Sequence, residues 1–179
     1  KQFLSYMPQS IYELTLRKET EDPIDRKEED LLSIIPKDRQ KSYEMRDVIR
    51  KVFDKDSFFE MTKSFGRGII TGFARLDGFS VGILANDSNF YAGSMSADGA
   101  RKTTRFVKLC GTFHIPIVSL VDEPGFLIGP EAELEATILH GTEAVLAVTE
   151  SNVPWSSIMI RKSFGVAAAA HYGPEGYVL

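Results

Sequence analysis

Apolar positions along the chain follow two rhythms, and each predicts its own kind of element. Met45, Val48, Ile49, Val52 and Phe53 recur at i, i+3, i+4, i+7 and i+8, the one-sided stripe of an amphipathic helix. Asp56 or Ser57 then stands where an N-cap would, which predicts a second short helix carrying Phe58, Phe59 and Met61 into the core. From residue 66 the rhythm changes. Runs over 69–76 and 79–85 flank Asp77-Gly78, the sequence of a tight type I′ hairpin turn. A helix is expected over 97–113, with Phe106, Cys110 and Phe113 on one face, followed by a short β-branched buried strand over 116–121. Gly129-Pro130-Glu131 opens one long helix to about residue 150, since proline suits the first helical position and Glu131 and Glu133 suit the positive end of the helix dipole. Residues 156–160 form another apolar strand, and Ser163 starts a third helix. This alternation predicts an α/β fold with helices packed against a sheet.

Charge and glycine divide the chain near residue 65. Residues 1–65 hold 13 basic and 14 acidic side chains, residues 66–179 only 8 and 11, and all 14 glycines lie at or after Gly66. The first part reads as linker and surface helix, the second as the packed core. Within the first part, residues 20–39 spread charge around Pro23 and Pro36. They read as a surface strap, pinned where Leu31, Leu32, Ile34 and Ile35 meet something apolar.

The remaining composition narrows the chemistry. With 179 residues, 43% hydrophobic and 26% charged, the chain is one ordinary globular domain or a piece of something larger. No apolar run approaches the roughly 20 residues of a membrane span. The opening Lys1-Gln2-Phe3-Leu4-Ser5-Tyr6 has neither the apolar stretch nor the cleavage site of a signal peptide. A net charge of −4 argues against a nucleic-acid surface. One cysteine, Cys110, excludes an internal disulfide, and with three scattered histidines it leaves little for a metal site. An intracellular protein that handles a small molecule or another protein is expected.

Two loops each follow a buried strand and precede a helix, where open α/β sheets bind ligands. In Asp122-Glu123-Pro124-Gly125-Phe126, proline and glycine force a turn. It is either a pocket wall with backbone amides facing a ligand or a plain connection with two solvated acids. In the run from Arg161 to Ala170, Ser163 can cap, Gly165 permits close backbone approach, and the alanines allow tight packing. The amides of Val166 and Ala167 would be unpaired donors at a helix start, suited to an oxyanion. Small residues there would equally serve helix packing.

Other candidates are weaker. Glu131, Glu133 and Glu135 are explained by the helix dipole. His114, His140 and His171 have no acid or cysteine at ligand spacing and read as surface or satisfied histidines. Cys110 reads as core. Arg101, Lys102, Arg105 and Lys108 read as a solvated basic helix face. Neither a Gly-x-Ser-x-Gly elbow nor a phosphate-binding Gly-x-x-x-x-Gly-Lys loop is present.

Several of these segments together resemble biotin-dependent acyl-CoA carboxyltransferases. They are Tyr43-Glu44-Met45-Arg46-Asp47-Val48-Ile49, Gly72-Phe73-Ala74-Arg75-Leu76-Asp77-Gly78, Val81-Gly82-Ile83-Leu84-Ala85-Asn86, Gly99-Ala100-Arg101, Arg105-Phe106-Val107, Ile115-Pro116-Ile117, Asp122-Glu123-Pro124-Gly125-Phe126 and Arg161-Lys162-Ser163-Phe164-Gly165. The opening Phe3-Leu4-Ser5-Tyr6-Met7-Pro8 is similar to the segment that joins the family's two halves. The similarity runs the whole chain in order and is greatest to propionyl-CoA type β subunits.

The resemblance implies a crotonase-like fold of repeated ββα units, the second half of a two-half enzyme. Residues 1–42 would be the charged inter-half strap and 43–179 the carboxyltransferase half, with its core from about 66 and its C-terminal elements missing. In the family, this half receives carboxybiotin carried on a partner. The biotin ureido group, once CO2 has left it, takes the α-proton of the acyl-CoA, and the enolate attacks CO2. No side-chain base is needed, and the enzyme supplies oxyanion holes and a dry site. The loop that aligns with the family's biotin hole is Gly165-Val166-Ala167, and Pro124, Gly125, Phe126, Ala168 and Ala169 would line the pocket. No metal is implied.

The implied partners are an acyl-CoA, a biotin carboxyl carrier, a biotin carboxylase subunit and further copies of the chain, as a hexamer. The implied location is cytoplasmic, or the mitochondrial matrix in a eukaryote. The chain also departs from the pattern. Val166 stands where relatives often have glycine, and Ala168 and Ala169 replace an aromatic and an acid of the propionyl type. A glycine-rich helix entry is replaced by Ala132-Glu133-Leu134-Glu135-Ala136-Thr137. A biotin-dependent decarboxylase component and a non-catalytic scaffold are the alternatives that share these motifs.

Overall fold

The computed structural model describes residues 1–38 and 40–179. Arg39, the end of the predicted strap, lies outside the described residues. In chain order the elements are α1 (Leu31–Ile34), α2 (Met45–Val52), β1 (Phe59–Met61), β2 (Ile69–Leu76), β3 (Phe79–Asn86), α3 (Ala97–Thr112), β4 (Ile117–Glu123), α4 (Pro130–Leu134), α5 (Thr137–Thr149), β5 (Trp155–Ser163) and β6 (Tyr177–Val178). Short 3₁₀ turns span Phe3–Tyr6, Tyr91–Gly93 and Val166–His171.

The strands form one sheet in sequence order. β1, β2 and β3 run antiparallel, and β3 through β6 run parallel. The hairpin joining β2 and β3 turns at Asp77 and Gly78, with φ of 50° and 78°, the doubly positive signature of type I′. A parallel pair needs a crossover. α3 supplies the one between β3 and β4, and α4 with α5 supplies the one between β4 and β5.

Strand periodicity divides the core between the two faces of the sheet. Ile69, Phe73, Leu84 and Ile117 meet Phe106 and Cys110 of α3 and Ala144 and Val148 of α5. Ile70, Ala74, Val81, Ile83 and Leu120 meet Met45, Val48 and Ile49 of α2, with Phe53 just beyond it. The predicted α2 stripe is therefore the face that covers the sheet. The leading segment is anchored as well. The Tyr6 and Phe3 rings lie 5.8 and 6.0 Å from that of Phe73, the Tyr6 hydroxyl donates to the Ser57 carbonyl, and Lys18 N–H donates to Gly78 O at 3.0 Å.

Three sequence expectations are corrected. Residues 59–61 form the edge strand β1, not a helix. Three residues are too few for a helical turn to repay its nucleation, whereas the free edge of β2 offers a ladder to Phe59, Glu60 and Met61. The long helix is broken at Ala136, which is left-handed with φ 56°, so α5 starts in a new direction. Ser163 caps nothing. It ends β5 with its hydroxyl 2.7 Å from that of Tyr172, and a 3₁₀ turn, not an α-helix, begins at Val166.

Candidate functional site

β4 and β5 are parallel neighbours, and Glu123 is the register partner of Ser163. The two loops singled out in the sequence therefore leave the sheet side by side at its C-terminal end, where Phe164 N–H donates to Glu123 O at 2.9 Å. In the first loop, Gly125 N–H donates to Glu123 Oε1 at 2.9 Å. Gly125 O accepts from Met95 N–H at 3.1 Å, and Leu127 N–H donates to Met95 O at 2.9 Å. Pro124, Gly125 and Phe126 are half-buried, and the Phe126 ring lies against Gly141 of α5.

In the second loop, Gly165 has φ 65° and ψ −166°, a conformation essentially limited to glycine. The turn that follows leaves donors unused, because a 3₁₀ helix cannot pair its first amides. The N–H groups of Gly165, Val166 and Ala167 donate to no acceptor among the described residues. Gly165, Val166 and Ala169 are exposed while Ala167 and Ala168 are buried. A Cβ at Gly165 would meet nothing within 4 Å. Three unpaired donors thus lie beside the Pro124–Phe126 turn, two of them on exposed residues, where an oxygen bearing negative charge would fit them.

The expectation of two solvated acids is overturned. β4 runs two residues past the predicted strand, so Asp122 and Glu123 are 0% exposed and point to opposite faces. Asp122 accepts from Arg161 Nε and Nη2 at 3.3 and 3.0 Å, from Lys162 N–H at 3.1 Å and from the Tyr43 hydroxyl at 3.0 Å. Burial, then the Asp122 charge, pushes the Tyr43 phenol well above its ordinary range. Glu123 accepts from Asn86 Nδ2 at 2.9 Å and faces His171 Nε2 at 3.5 Å. His171, expected as a surface or satisfied histidine, is fully buried, and its Nε2 has no hydrogen-bond partner among the described residues. Asn86, Ser119 and Tyr43 were not singled out as site residues. Tyr43 and Asn86 stood within segments that carry the family resemblance, and Ser119 was signalled only by polarity within an apolar run.

The basic face of α3 is also corrected. Lys102 is buried, and its Nζ donates to the carbonyls of Thr62, Phe65 and Ile69 at 3.1, 3.0 and 2.7 Å. Burial lowers its pKa to about 8. Burial likewise pushes the Cys110 thiol up, leaving it inert. His140 lies between Arg101 and Glu143 at 2.7 and 2.9 Å. Glu131, Glu133 and Glu135 are exposed. Among the described residues, no three acids, histidines or cysteines gather to hold a metal ion, and no helix is long and apolar enough to cross a membrane.

Comparison with known proteins places these loops in context. Residues 1–175 match the carboxyl transferase domain family. The carboxyltransferase subunit of propionyl-CoA carboxylase from Haloferax mediterranei is 38% identical over 98% of this chain and 35% of its own. The mitochondrial propionyl-CoA carboxylase beta chain of Mus musculus is 36% identical over 93% of this chain and 31% of its own. The chain therefore spans about a third of the length of these relatives. Among solved structures, the transcarboxylase 12S hexamer with methylmalonyl-coenzyme A and methylmalonic acid bound superposes with a TM-score of 0.93. It is 32% identical, over 99% of this chain and 36% of that one. The fold is crotonase-like, as the resemblance implied.

Proposed function

The chain belongs to the carboxyl transferase domain family, and from that premise we propose that it supplies the carboxybiotin-binding half of a biotin-dependent acyl-CoA carboxyltransferase. The observation that carries this reading is the set of unpaired amides at Gly165, Val166 and Ala167. They suit the ureido oxygen of biotin, which gains negative charge as the carboxylate departs. When bound, carboxybiotin supplies the CO2 and a ureido nitrogen able to take the α-proton of the acyl-CoA.

The chain's own part is positional. The amides of Val166 and Ala167 orient the ureido oxygen, and their fixed placement costs no reorganisation during the reaction. Being backbone groups, they remain donors with valine in place of the family's glycine at residue 166. Pro124, Gly125 and Phe126 form one wall of the pocket, and Ala168 and Ala169 form the other. The small side chains of Ala168 and Ala169 leave room above the turn and keep water-binding groups away from the reacting atoms.

A complete enzyme further requires the acyl-CoA site, the biotin carrier with its biotin carboxylase, and further copies of the chain. The named activities of the propionyl-CoA carboxylase relatives favour carboxylation over the reverse reaction. The hexamer of the transcarboxylase neighbour supports a homo-oligomer.

The test uses the full-length parent protein. Carboxylate transfer from malonyl-CoA and methylmalonyl-CoA to biocytin is measured in the wild type and in Gly165→Val. Transfer that collapses in a folded variant supports the site. Transfer that survives unchanged removes the hole from this loop, and a wild type inactive with both donors overturns the acyl-CoA carboxyltransferase reading for them.

A further inference from the structure

Beneath the two loops lies a polar cluster that the proposed chemistry does not use. Asn86, Ser119, Glu123 and His171 are all fully buried. Glu123 Oε1 accepts from Gly125 N–H at 2.9 Å, inside the first loop. Glu123 Oε2 accepts from Asn86 Nδ2 at 2.9 Å and faces His171 Nε2 at 3.5 Å. His171 is the last residue of the 3₁₀ turn that begins at Val166. Its Nδ1 lies 2.9 Å from Ser119 Oγ, and its carbonyl accepts from Trp155 Nε1 at 2.9 Å and Ser157 Oγ at 2.7 Å. With a carboxylate facing Nε2, the ring proton belongs on that nitrogen, so the Ser119 hydroxyl donates to Nδ1.

An apolar pair of similar volume would fill this space without the cost of desolvating a carboxylate. What the polar pair adds is direction. One carboxylate holds the amide of Gly125 and faces the ring that closes the second loop, while its own backbone carbonyl holds Phe164 N–H at 2.9 Å. Resting on the reading of the 165–167 amides as the biotin hole, we propose that Glu123 and His171 are a positioning pair. Together they fix the spacing between the Pro124–Phe126 turn and the amides of Val166 and Ala167. Neither side chain touches substrate. Their effect reaches the reaction through the placement of the donors, where an error on the order of 1 Å costs about a hundredfold in rate.

The experiment uses the full-length protein and whichever of malonyl-CoA and methylmalonyl-CoA the wild type accepts as donor to biocytin. Glu123→Gln, His171→Asn, whose amide is too short to present a donor at the Nε2 position, and the double variant are compared after thermal melts establish that each folds. We expect kcat to fall about tenfold in each single variant with KM for the CoA donor within about twofold of wild type. The double variant should be no worse than the worse single one, because residues acting as a unit are not additive. Should Glu123→Gln not fold, His171→Asn alone reads the same loss, and His171→Gln, which can present a donor near the Nε2 position, should recover part of it. Folded variants with kcat within about twofold of wild type overturn the pair, as do single losses that multiply in the double variant. A wild type silent with both donors overturns the biotin-site reading and this proposal with it, and it is recognised before any substitution is made.

Discussion

The ring of Phe126 occupies the space that a side chain at Gly141 would need. A Cβ on Gly141 would overlap Cε1 and Cζ of that ring, so the loop after β4 and the middle of α5 fit together only while residue 141 is glycine. Ordinarily an alanine in mid-helix is worth about 1 kcal/mol over glycine. Here overpacking costs about 1–3 kcal/mol, and the loop that carries the ring is tied to Met95 by backbone hydrogen bonds. Gly141→Ala is expected to destabilise the full-length protein by about 1–2 kcal/mol in chemical denaturation. Phe126→Leu in the same chain should return part of that loss. A more stable Gly141→Ala would show that the loop yields freely.

The same pair of residues shows what was legible in the sequence. Phe126 was singled out as pocket wall, yet nothing in its spacing from Gly141 says that the two touch. Periodicity located α2, α3, the hairpin and the strands β4 and β5 because those elements bury a repeating face. It failed at Ala136, where a residue with no special backbone preference adopts φ 56° under tertiary constraint. It failed at Asp122 and Glu123 because charge reads as solvent until the partners are known. Arg161, Tyr43, Asn86 and His171 come from three other parts of the chain, so only the fold brings them to those two acids. The backbone amides at 165–167 were legible, since glycine followed by small residues after a strand limits what the turn can be.

Asp122 holds a buried cation. The Arg161 side chain is 7% exposed and pairs with Asp122 at 3.0 Å, and the Tyr43 hydroxyl uses the same carboxylate. Asp122→Ala strands that guanidinium and is expected to cost about 3–5 kcal/mol by urea denaturation. The phenol gives an independent check. Its folded-state value is raised above the ordinary 10.0, so above pH 10 the unfolded chain releases a proton that the folded chain keeps. Stability should fall as pH rises past 10. Tyr43→Phe should flatten that slope and leave the phenolate absorbance of the folded protein unchanged between pH 10 and 12. An absorbance step lost in the variant would mean that Tyr43 titrates normally.

Lys102 ties the segment before β2 to α3 through three carbonyls, and its burial has a pH signature of the opposite sign. The folded value is lowered from 10.5 to about 8. Between those limits the unfolded chain binds the proton that the folded chain has lost, so stability rises with pH across that window and is level below it. Lys102→Met leaves three carbonyls short of a donor and should destabilise the protein by about 2 kcal/mol or more. The gap between wild type and variant should widen from pH 8 toward 10.5. A constant gap would mean that the ammonium stays charged in the folded state.

Val166 allows the proposed hole to be tested one hydrogen at a time. It is the first residue of the 3₁₀ turn, it is 70% exposed, and its N–H is unpaired among the described residues. Proline is tolerated at the first helical position because no intrachain bond is lost there and its fixed φ of about −65° suits the turn. The preceding Gly165 is extended in ψ at −166°, as a residue before proline should be. Val166→Pro therefore removes one donor with little disturbance to the fold, and Val166→Ala keeps the donor while trimming the side chain. In the full-length protein, both variants should melt within about 0.5 kcal/mol of wild type. Carboxylate transfer to biocytin should fall about 10²–10³-fold in the proline variant, the usual cost of losing one oxyanion donor. The alanine variant should keep its kcat and bind biocytin no worse. Equal rates in the two variants would show that the amide of residue 166 takes no part in the transfer.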